Sequence, residues 1–361
     1  MPRRIVRSGA AGGRSRDLIR GMDSLTQLVL GASVSMAVMG RAARPAKAAA
    51  WGALAGTLPD LDVLIDQGDP ILDMVLHRAE SHALFWLTLF SLPFALAVAR
   101  WHGETDRWRR WWAALWLALV THPLLDLLTI YGTQVLLPFT NQAWGLGSVF
   151  IIDPMVTVPW AVGVVAALRA ASPERARRAN VVGLSLGLAY LGWGAAVQQH
   201  VLAKARDSLR AQGLPAEQVL ATPTPFNSVL WRVVSVGNGQ FHEGFHSLLD
   251  GPGPIRFDRF DQGRPLAQAL QAHDGLTRIR RFSDGFWALQ AHPDGQLLLS
   301  DLRMGQQPHY VFRFAIARRD EATGTWLPMA RAESAGSRAP FAPSVSWLWR
   351  RMGGVPVAPP R

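Results

Sequence analysis

The stretch HRAESHALFWLTLFSLPFALAVA, residues 77–99, sets two histidines, an arginine and a glutamate against an apolar run. From Ala83 to Ala99 that run holds no charged residue. It comes close to the ~20 apolar residues that a helix needs to cross a bilayer core. Ionisable side chains at such a boundary are costly in a membrane and need a partner or a function. The fold turns on whether the neighbouring sequence repeats the pattern.

It does. Apolar runs cover residues 25–39, 46–58, 83–99, 111–130, 149–170 and 181–197. The last four approach spanning length, whereas the first two are short and rich in Gly and Ala, a composition that suits close helix contact. Residues 22–200 therefore read as a polytopic α-helical membrane domain of about five to six spans. Arg41, Arg44 and Lys47 follow the first run, Arg100, Arg107, Arg109 and Arg110 the third, and Arg169, Arg175, Arg177 and Arg178 the fifth. The connections after the second and fourth runs carry only Arg78. The positive-inside rule then places HRAESH and the C-terminal part outside the cytoplasm.

Residues 1–21 hold Arg3, Arg4, Arg7, Arg14, Arg16 and Arg20 without periodicity or a signal-peptide apolar core. They read as a disordered extension or an over-called start, with Met22 opening the patterned sequence. The net charge of +11 invites a nucleic-acid reading, but the excess sits in this tail and in the short loops. Basic and aromatic residues do not interleave as a nucleic-acid groove requires, so no nucleic-acid partner is expected. The chain has no cysteine, which excludes disulfides and thiolate metal sites.

Beyond His200 the pattern changes. NSVLWRVVSV, residues 227–236, has strand composition, and the following Asn238-Gly239 is a hairpin turn signal. PHYVFRFAIA, residues 308–317, reads as another strand. Residues 205–340 are expected to form a smaller β-rich extramembrane domain with a leading helix. Residues 341–361 form a Pro-rich tail expected to be poorly ordered.

Three polar clusters lie at span ends on one side. GTLPDLD carries Asp60 and Asp62 after Pro59, which disfavours continuing the preceding helix. In an extended segment the two carboxylates point the same way. THPLLD sets His122 and Asp126 four apart, on one face of a helix. His77 and His82 are five apart, about 140° on a continuous helix, so they share one ion only if the helix starts between them. Ser81 is a candidate N-cap for that start. Arg78 suits an anionic oxygen, phosphate above all. Any one of these residues alone fits a cap or a satisfied polar group; all six gathered on one side by chance is the poorer reading. Imidazoles and carboxylates without thiolate suit zinc, manganese or iron, with zinc the default for hydrolysis. Asp66, Asp69 and Asp73 read as solvated charges.

Taken together, MDSLTQLVLGA, GTLPDLD, HRAESH, HPLLDLLTIYGTQVLLPF and IIDP resemble the YdjM-like family of bacterial inner-membrane proteins, described as membrane-bound metal-dependent hydrolases. The resemblance runs from Met22 to about Ala170, and TPTPFNSVLWRVVSV is similar to the C-terminal extension of one branch. It implies Asp60, Asp62, His77, His82, His122 and Asp126 as metal ligands, with Asp153 of IIDP as a further candidate. A relation to zinc-dependent phospholipase C and P1-type nucleases implies phosphoester hydrolysis. The chain departs from the family pattern at Gln27, where a histidine is frequent, and at Ala79, Ser81 and Ala83.

HEGFH, residues 242–246, matches the H-E-x-x-H zinc-protease signature, whose chemistry needs a helix. It follows the Asn238-Gly239 turn and contains Gly244, so a strand is expected. There the two histidines would stand about 13 Å apart, too far for one ion. The expected function is thus a zinc-dependent membrane hydrolase of a lipid-borne or interfacial phosphoester. The rivals are a transporter or channel, and a non-catalytic scaffold presenting the β domain to partners.

Overall fold

The computed structural model describes residues 12–361, with side chains from Ser24 onward. Of the expected disordered extension, residues 1–11 lie outside the described residues, and 12–21 are backbone of the first helix, α1 (Gly12–Met39). There follow α2 (Pro45–Thr57), a 3-10 turn (Pro59–Leu64), α3 (Pro70–Leu76), α4 (Leu84–Trp101), α5 (Trp108–Leu128), α6 (Pro154–Leu168) and α7 (Pro173–Ala211).

Among the described residues, four helical stretches are long and apolar enough to cross a membrane, namely Ser24–Ala42, Leu84–Trp101, Thr105–Leu128 and Pro173–Ala211. Two expected spans are shorter: α2 has 13 residues and α6 has 15. The expected fifth span loses its first residues because Asp153 caps α6 and Pro154 takes its first position. Outward faces are apolar, with Leu89, Phe90, Val162, Val182 and Leu186 exposed, as for a bundle solvated by lipid. Inside, small residues and polar pairs join the helices. Gly31 of α1 meets Gly52 and Gly56 of α2, and Gly163 of α6 meets Gly183 of α7. Ser33 Oγ donates to Asn180 Oδ1 at 2.9 Å while Asn180 Nδ2 donates to the Ser33 carbonyl at 2.9 Å.

The C-terminal part is two four-stranded antiparallel sheets. The first is β1 (Gln218–Pro223), β2 (Leu230–Gly237), β3 (Gln240–Ser247) and β4 (Phe257–Asp261), in that order. After α8 (Arg264–Ala269) and α9 (Asp274–Phe282) come β5 (Trp287–Ala291), β6 (Gln296–Asp301), the short pair β7 (Gly305–Gln306) and β8 (His309–Tyr310), β9 (Arg313–Arg319) and β10 (Trp326–Ser334). The second sheet runs β10-β9-β6-β5. Asn238 and Gly239 both take positive φ, 53° and 78°, and close the β2–β3 hairpin as the dipeptide suggests. The expected strand over residues 308–317 is instead divided between β8 and β9.

Alternation on β2 shows how the layers form. Val234 and Val236 face the second sheet with Phe241 and Ala288, whereas Trp231 and Val233 face Val197, Val201 and Ala205 of α7. The expected leading helix is therefore the far half of α7, continuous with the last span. The outer face of the second sheet buries Leu297, Leu299 and Ile316 with α9 and with Ile71 and Met74 of α3. Asp69, read as a solvated charge, caps α3 and also accepts from Ala332 N of β10 at 3.1 Å. The tail expected to be poorly ordered contains α10 (Phe341–Met352), held by Trp347 against Phe245 with ring centroids 4.9 Å apart.

Candidate metal centre

Two segments deliver side chains to the end of α5. Pro59 ends α2 and starts the 3-10 turn that carries Asp60 and Asp62. His77 caps the C-terminus of α3, Arg78 turns the chain with φ 64°, and a 3-10 turn over Glu80–His82 precedes α4. The N-cap of α4 is Ala83 rather than Ser81, and His82 lies before the helix rather than in its first turn. That break removes the angular obstacle between His77 and His82.

Asp60, His82, His122 and Asp126 each offer a ligand atom, and these atoms all lie within 4.8 Å of one another. His82 Nε2 and His122 Nε2 are 3.1 Å apart. Asp60 Oδ1 stands 3.4 and 3.3 Å from these two nitrogens, and Asp126 Oδ2 stands 3.3 Å from each. Tetrahedral zinc with ligands at 2.0–2.1 Å separates its ligand atoms by about 3.3–3.4 Å. Five of the six edges of a ligand tetrahedron are thus already near that length.

The hydrogen bonds around the four residues assign the tautomers. His122 Nδ1 is 2.6 Å from the Gly56 carbonyl, which can only accept, so Nδ1 carries the proton. Ser81 Oγ gives its one proton to Asp62 Oδ2 at 2.6 Å and therefore accepts from His82 Nδ1 at 2.8 Å. Neutral rings in these tautomers point two bare Nε2 lone pairs at two carboxylate oxygens. Such a group repels itself unless a cation, or an added ring proton, stands among its members. Asp126 Oδ2 is buried and faces both Nε2 atoms at 3.3 Å. Its other oxygen, Oδ1, accepts from Gln27 Nε2 at 2.9 Å and faces Arg78 at 3.2 Å. Metal sites commonly use such outer contacts to orient their ligands.

The other expected site residues fall differently. Asp62 and His77 stand beside the four rather than among them. Asp62 Oδ1 meets His77 Nδ1 at 2.9 Å, and its Oδ2 takes Ser81 and the Arg78 amide. Burial pushes the carboxyl of Asp62 up, but the hydrogen bonds from His77 and Ser81 outweigh it and hold it below the ordinary carboxylate range. Asp62 is therefore ionised at neutral pH. Arg78, expected to face a substrate anion, is 1% exposed and turned to Asp126 and Thr129. Asp153 is not among the four and makes other contacts: it caps α6 through Met155 N and accepts from Tyr190 Oη at 2.9 Å. Sequence reasoning missed the Gly56 carbonyl, and it read Gln27 only as a departure.

HEGFH lies on β3, as expected. Glu243 pairs with Arg232 at 2.6 Å on one face, while His246 meets Asp250 at 3.1 Å on the other. Alanine at His242 or His246 should accordingly leave the metal content of the purified protein unchanged by elemental analysis.

A bundle of apolar helices, a His/Asp cluster at span ends and a β-rich C-terminal part define a polytopic membrane protein with a candidate metal centre. Residues 22–201 match the family model described as YdjM inner membrane protein, and the chain belongs to that family. It is also similar to the uncharacterized protein YfhP of Bacillus subtilis (strain 168), with 22% identity over 309 residues, covering 81% of this chain and 89% of that protein. An alignment of that length extends into the β domain. No solved structure matches.

Proposed function

We propose that this protein is a membrane-bound hydrolase that uses zinc at Asp60, His82, His122 and Asp126 to cleave a phosphoester of a lipid-borne or interfacial substrate. The observation that carries the reading is the convergence of the Nε2 atoms of His82 and His122 with two carboxylate oxygens near the spacing of zinc ligands. Zinc held there would supply Lewis acidity, bringing the pKa of a bound water towards about 7 for attack at phosphorus. Because four protein ligands would close a tetrahedral site, partly exposed Asp60 would be the ligand that gives way to water. The chain's own residues do the positioning. The Gly56 carbonyl orients His122, Ser81 and Asp62 orient His82, and Gln27 and Arg78 hold Asp126. Loop charges support an extracytoplasmic site at the surface of the inner membrane.

The open side of the site bears on the substrate class. Asp60 among the four, and Asp62 and His77 beside them, are partly exposed, and Leu61, Leu64 and Ile65 next to Asp60 are 54%, 79% and 60% exposed. An apolar rim at a span end suits an amphipathic substrate reaching the site from the bilayer. Ionisable groups at span ends, rather than mid-span, speak against a transporter.

The test is zinc content together with phosphodiesterase activity of the full-length protein in detergent, on a short-chain phospholipid and on a soluble nitrophenyl phosphodiester. Stoichiometric zinc and faster turnover of the lipid are expected. Metal-free protein purified in the presence of zinc would reject the site. Zinc without turnover of either substrate would reject the hydrolase.

A further inference from the structure

We propose that the C-terminal β domain is a working part of the metal centre, acting through Tyr131 and Arg78 on Asp126. The proposal rests on the metal reading above but not on any substrate. Tyr131 follows α5 and is 6% exposed, between the bundle and the β domain. On the bundle side its ring lies 4.9 Å from the Arg78 guanidinium and 5.5 Å from the His77 ring, and its hydroxyl donates at 2.8 Å to the carbonyl of Met74 on α3, the helix packed on the second sheet. On the domain side, Phe282 of α9 and Phe312 meet it edge-on, with centroids at 5.9 and 5.3 Å.

The consequence follows from the order of contacts. Arg78 faces Asp126 Oδ1, which leaves Oδ2 for the cluster. A guanidinium over an aromatic face is held by the ring quadrupole, more strongly where water is excluded. Arg78 also sits in the left-handed region, a backbone state that a non-glycine residue keeps only when its surroundings impose it. Phe282, Phe312 and the Asp69–Ala332 hydrogen bond supply surroundings of that kind from the β domain. Tyr131 is a positioning residue in this scheme, with no contact to the ligand atoms themselves.

The experiment measures zinc affinity of the full-length protein by chelator competition, with the visible spectrum of the cobalt(II)-loaded protein as a second readout. Tyr131→Leu should weaken zinc binding about 10-fold, the lower end of the effect of outer-shell partners, and alter the cobalt bands. Phe312→Leu should act in the same direction. Tyr131→Phe keeps the ring and should bind zinc within about twofold of the parent chain, since the outer contact survives. In an Arg78→Met background, Tyr131→Leu should add no further loss. Unchanged affinity in Tyr131→Leu, an equal loss in Tyr131→Phe, or a full additional loss in the Arg78→Met background would each overturn the inference. A parent chain that takes up neither zinc nor cobalt would instead defeat the metal centre itself.

Discussion

His122→Ala is expected to weaken zinc binding by on the order of 100-fold or more, beyond the ~10–100-fold range of outer-shell changes. His122 is fully buried, and its ring is fixed at both ends, by the Gly56 carbonyl at Nδ1 and by the cluster at Nε2. Alanine there removes a ligand that no mobile neighbour can replace, and it opens space in a packed site. His82→Ala should be similar, because Ser81 and Asp62 lock that ring in the same manner. Gln27→Ala, which removes a donor to Asp126 Oδ1, should lose only about 10-fold. A second measurement separates ligand loss from misfolding. A cation bound only to the native state stabilises it by about 2.7 kcal/mol at 100 times its dissociation constant. Adding a chelator should therefore lower the thermal midpoint of the zinc-loaded parent chain and leave that of His122→Ala where it was. Equal zinc affinity in parent and His122→Ala, with both folded, would end the ligand assignment.

How far this site could be read from sequence depends on the kind of contact involved. His122 and Asp126 were legible because a spacing of four on a helix fixes their common face. Asp60 and Asp62 were legible as a pair, but not in their division of labour. An extended segment would aim both at one ion, whereas the 3-10 turn sends Asp60 to the cluster and Asp62 to His77 and Ser81. The role of Arg78 was hidden because it rests on a left-handed φ that nothing in HRAESH announces. Gly56 was illegible as a site residue, since its contribution is a carbonyl that every residue carries. Asp153 shows the opposite case. An Asp-Pro pair is a helix-start signal in its own right, and that local reading is the one the fold realises. The C-terminal part followed the same logic: Asn238-Gly239 encodes its turn locally, while α10 was masked by a Pro-rich composition that says nothing of the contact with Phe245.

Gly52→Leu should cost about 3 kcal/mol or more, the upper end for overpacking, and should lower zinc affinity as well. A Cβ at Gly52 would lie 2.2 Å from the Gly31 carbonyl oxygen and 2.4 Å from Ser35 Cβ, and one at Gly31 would lie 2.2 Å from the Gly52 oxygen. Backbone meets backbone there, so no side-chain rotation relieves the clash, and α2 must move away from α1. The metal centre feels that movement because Gly56 is one turn further along α2. A Cβ at Gly56 would stand 2.5 Å from the Gln27 carbonyl, and the Gly56 carbonyl holds His122 Nδ1. Displacing α2 therefore loosens the tautomer of His122 and the seat of Gln27 beside Asp126 together. The control is a glycine in a helix with room around it. Gly192 in α7 has nothing within 4 Å of its added Cβ. Gly192→Ala should be neutral or stabilising by up to roughly 0.5–1 kcal/mol, the ordinary helix preference for Ala over Gly. Denaturant unfolding of both variants in the same detergent, with zinc affinity measured alongside, tests the pair. If Gly52→Leu were as stable as the parent chain, the close α1–α2 contact would be wrong, and with it the route by which the first two helices shape the site.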